Sequence, residues 1–505
     1  MKVGQAISEK GTTSSERKKI MNVCHFSQLC MVTALTGIGI GFGFDKAVVA
    51  QPGPPDVEQG VQVLTRGPVH EAFAETVTFN PEPGIVVTKA PPNAIEEVPP
   101  DQKPEGANVA WIPGYWAWDD EGSGFLWVSG IWRALPPGRQ WVPGYWGQSQ
   151  QGSQWTSGYW ADAAVSEVQY LPAPPATVEV GPNIAAPSAD QTWIPGSWVW
   201  HQSRYAWGPG YWATVNPNWV WVPAHYVWAP RGYVFVDGYW DYSVVRRGVL
   251  FAPVHFDAAV YTRRGFSYSP TTVIDLGVFS DHLFLRPHYS HYYFGDYYAP
   301  SYRSSGFYAS FSFNSSRHGY DPIYAHQRWE HRWDRDWEHR IQTNFQSRRD
   351  HEDARPPRTL AIQMRLSTGA VNSRAKSLVV ATPFNQMASR KDGPMRFQPV
   401  AKDERQQIAQ RGQEITKFRQ ERYKLETTAA GTSAQKPSKE FRPSKVRITR
   451  SPIVARSADQ LGKDQAPPKR HEAPRADPKV EPVKRSKGVS KDKDRGKDKS
   501  RSKNK

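Results

Sequence analysis

One six-residue pattern, W-x-x-G-x-W, constrains this chain more than any other feature. WIPGYW begins at Trp111, WVSGIW at Trp127, WVPGYW at Trp141 and WTSGYW at Trp155. After an interruption, WIPGSW begins at Trp193 and WGPGYW at Trp207, followed by the variants WVPAHY at Trp221, FVDGYW at Phe235 and FAPVHF at Phe251. Successive starts lie 16, 14, 14, 38, 14, 14, 14 and 16 residues apart. A fixed period of this kind is the mark of a repeat architecture.

Trp, Tyr and Val favour strands. Turn-rich pieces such as DDEGSG, LPPGR, QSQQGS, HQSR, VNPN and APRG separate the copies. The spacing therefore predicts a mainly β fold, an antiparallel meander of 14-residue Trp-rich repeats. Pro and Gly inside the motif are awkward for a regular strand, because Pro donates no ladder bond and Gly marks bulges. Residues i and i+5 of a regular strand face opposite sides, so one extra, bulged residue would bring both Trp of a motif to one face. The expectation is a kinked strand at each Pro-Gly, with its Trp stacking on those of the next repeat. The rival geometry makes Pro-Gly the hairpin tip, although L-Pro at the first corner suits hairpin twist poorly.

The repeat-defining residues are Trp111, Gly114, Trp116, Trp127, Gly130, Trp132, Trp141, Gly144, Trp146, Trp155, Gly158 and Trp160 in a first block. Trp193, Gly196, Trp198, Trp207, Gly210, Trp212, Trp221, Gly238 and Trp240 form a second. Burying one Trp removes roughly 200 Å² of surface, worth up to about 5 kcal/mol. Ordering fourteen residues costs on the order of 14–28 kcal/mol. Two or three buried aromatics per repeat are thus needed for folding alone, so most of these Trp are structural. Eighteen of the 21 Trp lie between Trp111 and Trp240, more than one thin sheet hides. Trp118, Trp200 and Trp228 alternate with the motif Trp and are the candidates for ligand or partner contact.

WIPGYW, WVPGYW, WIPGSW and WGPGYW resemble the WXXGXW (YXWGXW) repeat family of exported bacterial proteins. The resemblance covers about residues 111–240. It implies export and a repeat fold, and no activity. WVSGIW and WTSGYW depart from it in lacking Pro, WVPAHY and FAPVHF in lacking Gly. Those four strands are expected to kink less or to cap the array.

The remaining chain divides by composition. Residues 1–50 carry Arg17, Lys18 and Lys19 before an apolar run, then Val48 and Ala50 in the positions of a cleavage site, as in an export signal peptide. The alternative is an uncleaved anchor formed by residues 29–44, short for a span of roughly 20 residues. Both cysteines, Cys24 and Cys30, lie here, so cleavage after Ala50 leaves no disulfide. Residues 51–106 read as a Pro-rich linker with a short strand near 84–89. Repeat block 1 spans 107–160, an Ala/Pro linker 161–192, and repeat block 2 193–256. Residues 257–320 form a Tyr/Phe-rich β region in which FYASFSF reads as a strand. In 321–355, Trp329, Trp333, Trp337, Ile341 and Phe345 recur every four residues, which predicts an amphipathic helix starting at Asp321–Pro322. It either docks its Trp face on the β region or binds a partner. Residues 356–505 hold 37 Lys and Arg against 15 Asp and Glu, a net +22. They read as a basic, largely disordered tail. A helix is possible at about 401–427, with Arg411 and Arg422 breaking a coiled-coil seam.

Catalytic signatures are not found: the chain has no G-x-S-x-G, P-loop, H-E-x-x-H or C-x-x-C. His282, His288 and His291 cluster loosely, and His331, Asp334 and Glu338 share a helical surface, but neither set has the pattern of a metal site. No cofactor and no enzymatic activity are expected. The sequence favours a non-enzymatic, exported cell-envelope protein, periplasmic or extracellular. It would serve as a structural or adhesive scaffold, with the basic tail on an anionic surface and an envelope polymer, glycan or protein as partner. Nucleic acid is disfavoured by the export signal. The alternative is a carbohydrate-binding module that stacks sugars on exposed Trp, and a hydrolase is a remote third.

Overall fold

The computed structural model describes residues 59–314, 317–367, 378–428, 443–461 and 466–469. Residues 1–50, read from sequence as an export signal, and the last basic stretch, 470–505, lie outside the described residues. The fold is mainly β, with helices toward the C-terminus.

Eight motif copies pair two by two into four long antiparallel hairpins. In the first, Val109–Ile112 pairs with Ile131–Ala134 and Tyr115–Asp119 with Gly124–Val128. The second joins Arg139–Val142 to Tyr159–Asp162 and Tyr145–Ser149 to Gly152–Thr156. The third joins Gln191–Ile194 to Tyr211–Thr214 and Ser197–His201 to Arg204–Gly208. The fourth joins Trp219–Val222 to Tyr239–Tyr242 and His225–Ala229 to Gly232–Val236. The tips are the polar turns between copies, so Pro-Gly is a mid-strand break and not a hairpin tip.

The break is not the expected bulge. In the first hairpin Ile112 faces Ile131 and Tyr115 faces Val128, so each strand skips two residues and the register runs on unshifted. The same holds in the other three hairpins. Both strands therefore break together at motif positions three and four. WVSGIW and WTSGYW break there as the Pro copies do, so Pro is not what breaks the strand. The Gly is the tighter requirement. A Cβ on Gly114 would lie 2.8 Å from the Trp127 indole, on Gly130 2.6 Å from Trp111, on Gly158 2.5 Å from Trp141 and on Gly210 2.4 Å from Trp193. Each first-position Trp lies over the glycine of the opposite strand. The fourth hairpin supports this reading from its departures: Ala224 stands at a glycine position, and the first-position residue opposite it is Phe235, a smaller ring.

Trp pairs face each other across the hairpins, as the repeat predicted: Trp111 with Trp132, Trp116 with Trp127, Trp141 with Trp160, Trp146 with Trp155, Trp193 with Trp212, Trp198 with Trp207, and Trp221 with Trp240. Their centroids are 5.1–5.5 Å apart and their planes steeply inclined, the edge-to-face packing that the ring quadrupole favours. The two pairs of the first hairpin enter different apolar clusters, so they do not share one face.

No ladder joins one hairpin to another among the described strands. Neighbours meet through side chains, identically in both blocks. Trp146 Nε1 donates to the Trp116 carbonyl at 2.8 Å, and at the equivalent position Tyr226 Oη donates to the Trp198 carbonyl at 2.9 Å. Phe125 packs on Trp146 as Tyr205 packs on Tyr226. The blocks are held together by a buried Arg133–Asp241–Arg247 cluster, with contacts of 2.5 and 3.0 Å. FAPVHF, the ninth copy, caps the first hairpin: Gly248–Leu250 adds to its Ile131–Ala134 strand and Val254–Phe256 to its Gly124–Val128 strand.

The segments between and beside the repeats depart from their sequence readings. Residues 51–106 contain the expected short strand, Val86–Val87, but Val69–Ala74 is buried in the centre of the body and not an exposed linker. In 161–192, Glu167–Leu171 pairs with both the fourth hairpin and Ser444–Arg447. FYASFSF keeps only Tyr308–Ala309 as strand, and Ser310–Phe313 is helical. The Trp helix is two helices, Pro322–Glu330 and Trp337–Asp350. Asp321 caps the first by accepting from the Ile323 and Tyr324 amides. The break lets Trp337 fold back between Tyr324 and His331, stacking on both, and it leaves Trp333 75% exposed. Asp334, in the break, pairs with Arg340 of the second helix. Lys402–Thr427 is helical as expected. The surprise is its packing, since Ile415, Phe418, Arg422 and Glu426 are buried against the repeats. Among the described residues no helix is long and apolar enough to cross a membrane.

Candidate functional site: buried carboxylates and an aromatic groove

A double break in a hairpin strands the glycine N–H groups that would otherwise serve the ladder. Buried donors left unpaired cost roughly 1–3 kcal/mol each, and a carboxylate from outside the repeat takes both of them in the first hairpin and one each in the second and third. Glu97 accepts from the Gly114 and Gly130 amides at 2.8 and 2.9 Å and from Trp127 Nε1 at 3.0 Å. In the second hairpin Glu71 accepts from the Gly158 amide and Trp155 Nε1, both at 3.0 Å. Glu179 does the same in the third, from the Gly196 amide at 2.5 Å and Trp193 Nε1 at 3.0 Å. The fourth hairpin, which lacks one glycine, meets Glu75 through Tyr239 Oη at 2.9 Å and His225 at 3.2 Å. Burial outweighs the donors and pushes Glu71 up to about 8 and Glu97 to about 7.

The helix Lys402–Thr427 serves the same bends from the other side. Arg422 donates to the Pro143 and Ser157 carbonyls, both at 2.9 Å, and pairs with Glu426, which takes Tyr145 and Tyr170 hydroxyls. Arg419 is buried with its charge toward Tyr115, Glu71 and Glu97, and burial lowers it to about 10, still cationic at neutral pH. Arg422 and Glu426 are thus tied to the bends, whereas the buried Arg419 Nε has no hydrogen-bond partner among the described residues.

The third hairpin differs from the others. Its four motif Trp, Trp193, Trp198, Trp207 and Trp212, are only half-buried, whereas nearly all those of the other hairpins are buried. Trp193 and Trp212 form one wall of a groove of about 670 Å³. The opposite wall is the corner between the two helices, with Trp329, Arg332, Arg335 and Trp337. The Arg332–Asp190 ion pair, at 3.1 Å, ties that corner to the hairpin base. The Arg332 guanidinium lies 4.3 Å from the Trp329 ring and 5.3 Å from that of Trp333. Three buried polar atoms on these walls have no hydrogen-bond partner: Gln191 Oε1, Trp329 Nε1 and Arg332 Nε. Aromatic walls with a few converging polar groups are the usual makings of a small-molecule site.

The contact candidates from sequence are elsewhere. Trp118, Trp200 and Trp228 sit at equivalent places beside the tips of the first, third and fourth hairpins, each half-buried. Trp118 packs on Phe125 and bonds Asp120, Trp200 packs on Tyr205, and Trp228 faces Tyr233. None of them lines the groove. The histidines do not converge: His282 bonds Tyr298, His291 bonds Tyr115, and His288 lies exposed near Glu82. His331 stacks on Trp337 while Asp334 pairs with Arg340 and Glu338 with Arg328. The glutamates escaped the sequence reading because they fall in stretches read as linkers. No local signal sets them apart: residues 51–106 also carry Asp56, Glu58, Glu82, Glu96, Asp101 and Glu105.

Comparison with known proteins agrees with this division. The family model for the WXXGXW repeat, built of two copies, matches residues 106–133, 189–213 and 216–240. These are the first, third and fourth hairpins, so two copies make one bent hairpin. The second, at residues 139–162, is matched by structure alone. No curated protein and no solved structure matches the chain. The first, third and fourth hairpins are therefore WXXGXW repeats, in keeping with the resemblance read from the sequence.

Proposed function

We propose that this protein is a non-enzymatic, exported scaffold of the cell envelope, whose repeat body recognises an envelope component while its C-terminal residues hold an anionic surface. The observation that carries the reading is how the repeats spend their chemistry. Their indoles pair with each other, and the buried carboxylates Glu71, Glu97 and Glu179 accept from motif amides and indoles. Groups bonded in this way brace the hairpins from within, Glu179 doing so at the lining of the groove. Residues 470–505 carry 14 Lys and Arg against 6 Asp and Glu, a net +8, and attraction of this kind weakens with salt.

Co-sedimentation with isolated envelope tests the proposal. The mature chain and a form ending at Lys469 are compared, since Trp240 Nε1 donates to the Lys469 carbonyl and a shorter form would disturb the body. The scaffold reading expects both to pellet, the shorter one resisting high salt. If neither pellets, the reading fails. A second reading, saccharide recognition, is favoured by the half-buried indoles of the third hairpin.

A further inference from the structure

We propose that the third hairpin pairs edge to edge with the third hairpin of a second copy of this chain. This interface does not depend on the scaffold reading. In three of the four hairpins the returning strand takes an added strand on its outer edge, beside the tip. Val254–Phe256 joins Gly124–Val128, Val86–Val87 joins Gly152–Thr156, and Glu167–Leu171 joins Gly232–Val236. The equivalent strand of the third hairpin, Arg204–Gly208, has only its hairpin mate among the described residues. The neighbouring hairpin does not obstruct that edge. Tyr205 packs on Tyr226 as Phe125 packs on Trp146, and in the first hairpin this packing and the added strand coexist. Gln202 and Ser203, both at positive φ, form the two-residue turn at the tip. His201 and Arg204 close it as a hydrogen-bonded pair, so alternation turns the main-chain groups of Tyr205 and Trp207 outward. An unpaired row of this kind is a template for another chain. Between Tyr205 and Gly208 it has none of the Lys, Pro or bulges that blunt an edge, and Pro209 ends it.

The edge is complementary to itself, and each copy brings one. Antiparallel pairing about a two-fold axis at Ala206 sets Tyr205 opposite Trp207 of the second copy, and the reverse. Each such pair exchanges two main-chain hydrogen bonds. Trp198 and Trp200 stand opposite Trp207 and Tyr205 within the hairpin, so this aromatic face runs on into its equivalent and gains two aromatic cross-strand pairs. Arg204 meets Gly208 of the second copy, so no two arginines are opposed. On the other face the axis passes exposed Ala206, beside Val199, which is 40% exposed. A pairing this short makes a small interface, of the kind that associates weakly.

Sedimentation velocity of the mature chain, residues 51–505, tests it. The expected result is a shift from monomer to dimer between about 1 and 100 µM. Ala206→Lys and Ala206→Glu each set like charges opposite one another at the axis, and each variant should stay monomeric with an unchanged melting temperature. An equimolar mixture of the two should dimerise again, because the charges then complement. Residues 51–505 contain no cysteine, and directly opposed residues of a non-hydrogen-bonded pair lie about 4.5 Å apart at Cα, within disulfide reach. Mild oxidation should therefore link the Ala206→Cys variant into a dimer and leave Val180→Cys, 70% exposed and off the edge, unlinked. A chain monomeric throughout, association that survives Ala206→Lys, a Lys and Glu mixture that stays monomeric, or an unlinked Ala206→Cys variant overturns the proposal.

Discussion

Gly238→Ala offers a clean test of the Trp-over-Gly packing. A Cβ there would meet Trp221 Cζ2 at 2.6 Å and Cε2 at 3.1 Å, and backbone only at 3.4 Å, the Ala224 amide nitrogen. Carbon contacts are comfortable at about 3.5–4.0 Å, so the overlap is almost wholly with one indole, itself held by Trp240. Overpacking of this kind costs about 1–3 kcal/mol. Gly238 does not have a positive φ, so Ala adopts the backbone and recovers about 0.4–1 kcal/mol of chain entropy. A net loss of about 1 kcal/mol follows. Trp221→Phe should cost about 2 kcal/mol through lost burial and a small cavity. Combined, the shorter ring makes room for the methyl, as Phe235 does opposite Ala224. The double variant should therefore lie about 2 kcal/mol above the additive sum, far outside the roughly 0.5 kcal/mol expected of independent sites. Urea unfolding of the four proteins measures it. Additivity would refute the packing argument.

Three further outcomes follow from the bends. Glu97→Ala strands the Gly114 and Gly130 amides and the Trp127 indole N–H, and urea denaturation should show a loss of about 3–6 kcal/mol. Arg422→Met leaves Glu426 buried without its cation, and a loss of about 3–5 kcal/mol is expected, with a markedly smaller one for Arg422→Met/Glu426→Gln. Stability should also depend on pH in a defined way. Burial raises Glu71 and Glu97 from 4.5 to about 8 and 7, so their contribution is complete below 4.5 and fades as pH rises through those values. Burial also lowers His70 and His291 from 6.5 to about 3 and 4, so theirs is complete above 6.5 and fades as pH falls. Between 4.5 and 6.5 the two pairs cancel. Melting temperature should be flat there, fall below it, and fall above it with a loss of about 3 kcal/mol by pH 8; a maximum at pH 8 would contradict this.

Much of the repeat was legible because its chemistry is local. Strand propensity, polar tips and a fixed period set the antiparallel hairpins, and the Trp pairs followed from the cross-strand register. The break was legible in place but not in kind. A bulge satisfies a single strand considered alone, whereas the double break of the first three hairpins is closed by a carboxylate from a separate segment that accepts freed amides. Glu97 is 17 residues from Gly114 and Glu71 is 87 from Gly158, separations at which composition says nothing. The same limit hid the helix Lys402–Thr427. Arg422 looked like a flaw in an apolar seam, but its partners are the Pro143 and Ser157 carbonyls, more than 260 residues away. The four-residue Trp spacing of 321–355 was read as one helix, since periodicity does not report that Trp337 gains two stacking partners by folding back. For the groove, sequence marked the Trp but not which hairpin would be left half-open, a property of what packs over each one.

The most direct test of the carboxylate closure is hydrogen exchange of the third hairpin in Glu179→Ala. Glu179 comes from outside the repeat and accepts from the Gly196 amide and Trp193 Nε1, and this hairpin has the least burial to hold it otherwise. Exchange followed by mass spectrometry should show peptides from residues 191–214 losing most of their protection, while those from 109–134 and 139–162 keep theirs. Protection of 191–214 equal to that of the wild type would mean that the bend closes without its carboxylate, and the account of how these repeats fold would be wrong.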